Sequence, residues 1–241
     1  MCRHFILITA LVVSPAAAPA RAETKTPELP KVVQRIVDRT NDFRKSEKRE
    51  PVKVNAELTK AAEYFAKFMA ESGKYGHEAD GQKPADRAKK HGYDYCLVLE
   101  NIAYLYNSEG FGTEDLAGGL IKGWQESPGH RKNMLDPDVI ETGVAVARSE
   151  KTGYFYAVQM FGRPRSLAIE LKIANRTGVK IEYTIDEDKY TLDPRYVQTH
   201  TRCRPGEITF QEPKGLSAVK FATGDKFAVT GKNGSYQVKK E

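Results

Sequence analysis

Four side chains in this sequence could hold a metal ion or move a proton: His77, Glu100, Glu126 and His130. His77 lies in "SGKYGHEADG", just past a helical pattern, and His130 lies in "GWQESPGHRKNML", just past Pro128-Gly129. Both positions follow a helix break, where a side chain can face a cleft instead of a core. Glu100 interrupts the apolar stretch "LVLENIAYL". An unpaired carboxylate buried there would be costly, so it needs a strand edge or a polar pocket. Glu126 precedes His130 by four residues, but the intervening Pro-Gly spoils ordinary helical pairing. Imidazoles and carboxylates of this kind bind zinc-type ions or act as an acid–base pair. They serve equally well as hydrogen-bonded props for loops. No HExxH and no CxxC is present, so spacing alone leaves these readings open. His91, at the charged helix end "AKKHGYDY", reads as solvated or capping. His200, in "QTHTRC", has no acid nearby.

The elements that must position these groups are legible as periodicities. "PKVVQRIVDRTNDFRK" puts Val32, Val33, Ile36, Val37 and Phe43 on one helical stripe. "NAELTKAAEYFAKFMAESGK" predicts a second helix with Asn55 as N-cap and Leu58, Ala61, Ala62, Phe65, Phe68 and Met69 inward. Pro84 suits the first turn of a short helix reaching Lys90. "TEDLAGGLIKGWQE" reads as a helix capped by Thr113, weakened by Gly118-Gly119 unless something packs closely there. "CLVLENIAYLY" reads as a buried extended segment, and "ETGVAVARSEKTGYFYAVQMFG" as a hairpin turning at Lys151-Thr152-Gly153. Helices and strands in that mixture imply a sheet covered by helices. From "LAIELKIANRTGVKIEYTI" onward the chain alternates as strands do, and Asn233-Gly234 is a tight-turn pair. The expected organisation is α+β: a first domain over 28–163, a linker in "GRPRS", and a small β-sandwich or barrel over 166–241.

Residues 1–22, "MCRHFILITALVVSPAAAPARA", have the basic head, apolar run and Ala-Arg-Ala end of a secretory signal peptide. Without them the net charge of +6 becomes about +4, because two arginines leave. The charged runs mix signs, which argues against nucleic acid as a partner. Past this leader only Cys96 and Cys203 remain. An even pair in an exported chain often closes, while Cys96 in an apolar stretch also suits a buried free thiol. No segment after the leader could cross a membrane, and an exported monomer is expected.

"YCLVLENIAYL", "GWQESPGHRKNML", "ETGVAVA" and "YFYAVQMFG", in this order, resemble the CAP superfamily of cysteine-rich secretory, antigen 5 and pathogenesis-related proteins. The likeness spans roughly residues 32–162 and is greatest to the bacterial SCP-like branch. "HEADGQKPADRAKKHGY" is similar to that branch's H-x-x-x-D-G…P…R…G-Y stretch, with Asp80 one place nearer the histidine. The resemblance implies an α-β-α sandwich with a cavity lined by two histidines and two glutamates. Residue by residue it points to His77, Glu100 and His130, with Glu126 beside the place of the second acid, where this chain has Ser127. It implies a cavity for a divalent metal such as zinc, held by His77, His130 and Glu100, or for a sterol, lipid or other small ligand. A binding module for a small ligand or cell-envelope component is the leading expectation. A structural envelope protein with a vestigial cavity comes next, and a metal-dependent hydrolase last.

Overall fold

A computed structural model describes residues 25–241. The expected signal peptide, 1–22, lies outside the described residues. The first half of the chain runs α1 (Leu29–Ser46), β1 (Lys53–Val54), α2 (Ala56–Ser72), α3 (Pro84–Lys90) and β2 (Tyr95–Leu105). It continues through α4 (Thr113–Glu126), α5 (Pro128–Met134), β3 (Glu141–Arg148) and β4 (Phe155–Pro164). The four strands form one sheet in the order β1-β3-β4-β2, so β2 is an edge strand.

The alternation of β4 builds two cores at once. Phe155, Ala157 and Phe161 pack with Val32, Ile36, Leu116, Leu120 and Trp124 of α1 and α4. Tyr156, Val158 and Met160 pack with Leu58, Phe65, Met69 and Ala88 of α2 and α3. Two-residue periodicity therefore yields a sheet with helices on both faces, the α-β-α sandwich. Asn55 caps α2 as its residue type predicts, its side chain accepting from Leu58 N at 3.0 Å. A methyl at Gly143 would strike the Leu58–Thr59 backbone, so α2 seats directly on β3. Close packing also accounts for Gly119, whose missing side chain makes room for Leu105. Thr113 is the first residue of α4 instead of its cap, and its hydroxyl accepts from Glu28 N at 3.0 Å.

The second half folds as two four-stranded sheets. One has the order β10 (Val219–Phe221), β9 (Gly206–Glu212), β6 (Ile181–Ile185), β7 (Asp188–Leu192). The other has the order β12 (Ser235–Lys240), β11 (Lys226–Lys232), β5 (Ile169–Asn175), β8 (Val197–Arg202). Ile169, Leu171, Ile173, Ile181, Tyr183, Ile185 and Phe227 bury between them, which makes a sandwich of the β-only half. Asn233 and Gly234, with φ of 52° and 83°, form the tight turn between β11 and β12.

The two halves meet more closely than "GRPRS" as a linker implies. Gly162 to Pro164 belong to β4, and Pro164 pairs with Tyr95. Only a single 3-10 turn, Arg165–Leu167, and Ala168 separate β4 from β5. The cysteine alternatives resolve as a disulfide: Cys96 on β2 is bonded to Cys203, with Cα atoms 5.3 Å apart. Arg204 then donates to Asp136 and Asp138 in the loop after α5, at 2.8 and 2.7 Å.

His200 is a buried residue of the sandwich, its Nε2 2.8 Å from the Tyr183 hydroxyl. Burial, reinforced by the Arg202 charge, lowers its pKa from 6.5 to about 4. The folded state holds the imidazole neutral while the unfolded chain lets it charge. Its contribution is therefore complete above about pH 6.5 and lost as pH falls toward about 4, a loss of about 3 kcal/mol. Urea midpoints at pH 7 and pH 4 should separate more in the native protein than in His200→Gln. An equal separation would contradict the buried neutral imidazole.

Candidate functional site

The site is assembled around the free edge of β2. His77 comes from the loop after α2, Arg87 from α3, Glu100 from β2 and His130 from α5. Glu100 is 4% exposed, and its charge is fully answered. Arg87 Nη2 donates to both carboxylate oxygens, at 3.0 and 2.8 Å. His77 Nδ1 lies 2.8 Å from Oε1 of the same group.

Arg87 is itself wholly buried. Its Nη1 donates to Asp80 Oδ1 and to Gln82 O, each at 2.7 Å, and Nη2 also reaches His77 O at 2.7 Å. The guanidinium carbon stands 3.6 Å over the Phe65 ring. One arginine thus fixes the loop that carries His77, and at the same time the carboxylate that orients the His77 ring. The shorter His-to-Asp spacing does not disturb this, since Asp80 reaches Arg87 regardless. Arg87 looks in sequence like one more charge on a basic helix, "ADRAKK". The signal that could have singled it out is the arginine of the H…D-G…P…R stretch.

On the other side of β2, α5 is clamped by its own side chains. Asn133 Nδ2 donates to Glu100 O at 3.1 Å and to Asn101 Oδ1 at 3.0 Å. Trp124 Nε1 donates to Ile102 O at 3.2 Å. Asn101 donates to His130 O at 3.2 Å and to Gln159 Oε1 at 3.4 Å, and Gln159 donates to Thr40 on α1 at 2.8 Å. These side chains use polar groups that an open sheet edge would otherwise leave unpaired. They also set where His130 stands. Pro128 does not simply end a helix; it is the first residue of α5, and His130 sits in that helix's first turn. Arg131 packs over Phe43 and donates to Glu47 at 2.7 Å, anchoring α5 to α1.

His130 is half-buried, and its pKa is lowered from 6.5 by burial and then by the nearby His77 charge. His77 remains about half exposed, with a side-chain exposure of 49%. The structure sets the His77 ring on Glu100, and it carries His130 on α5, the helix whose Asn133 holds the Glu100 carbonyl. Glu126 does not join them. It ends α4 with its side chain 68% exposed, 3.8 Å from Lys122. Four residues of separation from His130 mean little, because the chain changes helix between them. The expected three-ligand set is not present as a metal-ready cluster either. Among the described residues no three His, Cys, Asp or Glu side chains converge in metal-holding geometry. The reason is local: Glu100 spends its oxygens on Arg87 and His77. Among the same residues no helix is long and apolar enough to cross a membrane.

The chain is similar to YkwD of Bacillus subtilis strain 168, at 29% identity over 153 residues. That match takes in 61% of this chain and 55% of YkwD, so the chain spans about half the length of this relative. Among solved structures, an outer surface protein of Borrelia burgdorferi aligns at 18% identity with a TM-score of 0.49, covering 56% of this chain and 93% of that one. An extracellular SCP-domain protein of Bacillus anthracis str. Ames aligns at 24% identity with a TM-score of 0.48, covering 56% of this chain and 41% of that one. The family model of cysteine-rich secretory proteins matches residues 37–161. The matched stretch contains His77, Arg87, Glu100 and His130 and stops before the β-sandwich. With more than half of its length matched and the helix-covered sheet in place, the chain belongs to the CAP, or cysteine-rich secretory protein, family.

Proposed function

We propose that this protein is an exported binding module whose His77–His130 cleft takes a divalent ion of the zinc type, with a small ligand or water completing its shell. The observation that carries the reading is the Arg87–Glu100–His77 relay. A carboxylate on Nδ1 selects the tautomer that leaves the Nε2 lone pair free, the usual support of a metal-binding histidine. His130 supplies a second imidazole that burial keeps neutral. Glu100 is the support of His77 instead of a third ligand. Two protein ligands give modest affinity and leave the remaining positions open.

Hydrolysis is the less favoured reading on a specific ground. A general base needs a lone pair free to take a proton from water. Glu100 is paired to Arg87 with its side chain 1% exposed, so water has little access to its lone pairs, and Glu126 faces solvent. Export is supported by the leader pattern and by the Cys96–Cys203 bridge, since such bridges persist in oxidising compartments.

Calorimetric titration of the untagged protein with zinc tests the reading. Binding heat is expected from the native protein and from Glu126→Ala, and none from His77→Ala or His130→Ala. Affinity should fall as pH drops and His130 gains its proton. That loss should set in below 6.5, the ordinary imidazole value, because its pKa is lowered. Equal heats from all four proteins would reject the site.

A further inference from the structure

The period-two alternation that points Glu100 toward α2 and α3 continues along β2. It puts Ile102 and then Tyr104 on the same face, and Tyr106 follows just beyond the strand. Tyr156 lies opposite Tyr104 on β4, and Tyr154 begins the approach to that strand. Tyr75, two residues before His77, closes the row at the cleft end. Its hydroxyl donates to Ile102 O at 3.2 Å, and its ring meets Tyr104 edge to face, with centroids 4.8 Å apart. Tyr104 meets Tyr154 at 5.6 Å, and Tyr154 stacks on Tyr106 at 5.0 Å and 27°. Four tyrosines thus run unbroken from beside His77 to the β3–β4 turn. Tyr75, Tyr104 and Tyr106 remain 46%, 48% and 53% exposed.

The row is not leftover core. Tyr75, Tyr104 and Tyr106 are large rings left in solvent, and each carries a hydroxyl. Past Tyr106 the row opens on a cavity of about 590 Å³. Its lining mixes polar Asn107, Ser108 and Thr152 and charged Lys25, Arg148 and Glu150 with apolar Leu29 and Phe155. Arg148 and Glu150 pair with each other at 3.4 Å, and Lys25 leaves the lining one positive charge in excess. The tyrosine row itself presents no formal charge for an anion and no aliphatic wall for an acyl chain.

We propose that this row is a binding subsite for a neutral, linear glycan of the extracytoplasmic space. A pyranose ring has an apolar face of polarised C–H bonds and a rim of hydroxyls. Its C–H face suits the electron-rich face of a tyrosine ring, and its rim suits the phenol hydroxyls and the polar cavity end. Tyrosines locked by their neighbours bind at little entropic cost. A chain laid along the row would end beside His77. The subsite rests on the tyrosine geometry alone and does not require a metal in the cleft.

The test is an NMR titration of the protein in chelator, which removes any metal-dependent binding. The probes are chitohexaose and cellohexaose, with dodecylphosphocholine micelles as the lipid arm. The expected result is that at least one hexasaccharide shifts the ring resonances of Tyr75, Tyr104, Tyr106 and Tyr154. Tyr106→Ala should weaken that binding about tenfold, and Tyr106→Phe, which keeps the ring, should stay within about twofold of native. Folding of each variant is read from the same spectra. Silence of the row with both sugars, shifts with the micelles alone, or unchanged binding in Tyr106→Ala would each overturn the proposal.

Discussion

Arg87→Ala should cost the protein about 3–5 kcal/mol of folding stability, among the largest effects available to a single substitution in this chain. The native guanidinium is wholly buried and meets the Asp80 and Glu100 carboxylates, whose side chains are each 1% exposed. Alanine would leave both acids out of water with no cation. It would also free the His77 and Gln82 carbonyls and open a gap beneath Phe65. Arg87→Lys should recover only part of the loss, because an ammonium cannot span Asp80, both Glu100 oxygens and two carbonyls as the planar fork does. Urea unfolding at neutral pH measures both variants. A cost below about 1 kcal/mol for alanine would show that the buried network does not hold the fold together.

The second large effect belongs to the disulfide. Cys96 and Cys203 are 107 positions apart, and closing so long a loop restricts the unfolded chain by about 4–5 kcal/mol in the chain-entropy model. Cys96→Ser with Cys203→Ser should lower the urea midpoint accordingly, and reductant should do the same to the native protein. Cys96 lies four residues before Glu100 on β2, so the bridge ties the β-sandwich to the strand that carries the site. Thiol titration of the denatured, unreduced protein lacking residues 1–22, and so Cys2, should find none free. Two free thiols would remove this source of stability.

Much of this architecture is written in residue periodicity. The stripe on α1, the Asn55 cap and the hairpin at Lys151-Thr152-Gly153 follow from local rules, because helix and strand repeats decide which face is buried. The alternation from Ile169 onward likewise announces a β-only half. The extent of contact between the halves is not legible in that way. Whether Cys96 and Cys203 meet depends on how the β-only half lies against β2, and no local pattern encodes that. The site is legible only in part. The His77–Glu100 pair forms inside the stretch that the family motifs mark, and His130 rides on the helix that Asn133 fastens to β2. Glu126 fails as a member because proximity along the chain does not become proximity in space across a break where the chain changes direction. Arg87 hides as a charge among charges. Tyr104 and Tyr106 are absorbed into a strand that reads as buried, although α2 and α3 leave that end of the sheet uncovered.

The most direct measurement of the proposed metal site is an NMR titration with zinc, following the ring protons of His77, His91, His130 and His200. The expected result is that sub-stoichiometric zinc moves the His77 and His130 resonances together and leaves His91 and His200 in place. Movement of His91 or His200 instead, or of His77 without His130, would contradict a shared site between the two imidazoles.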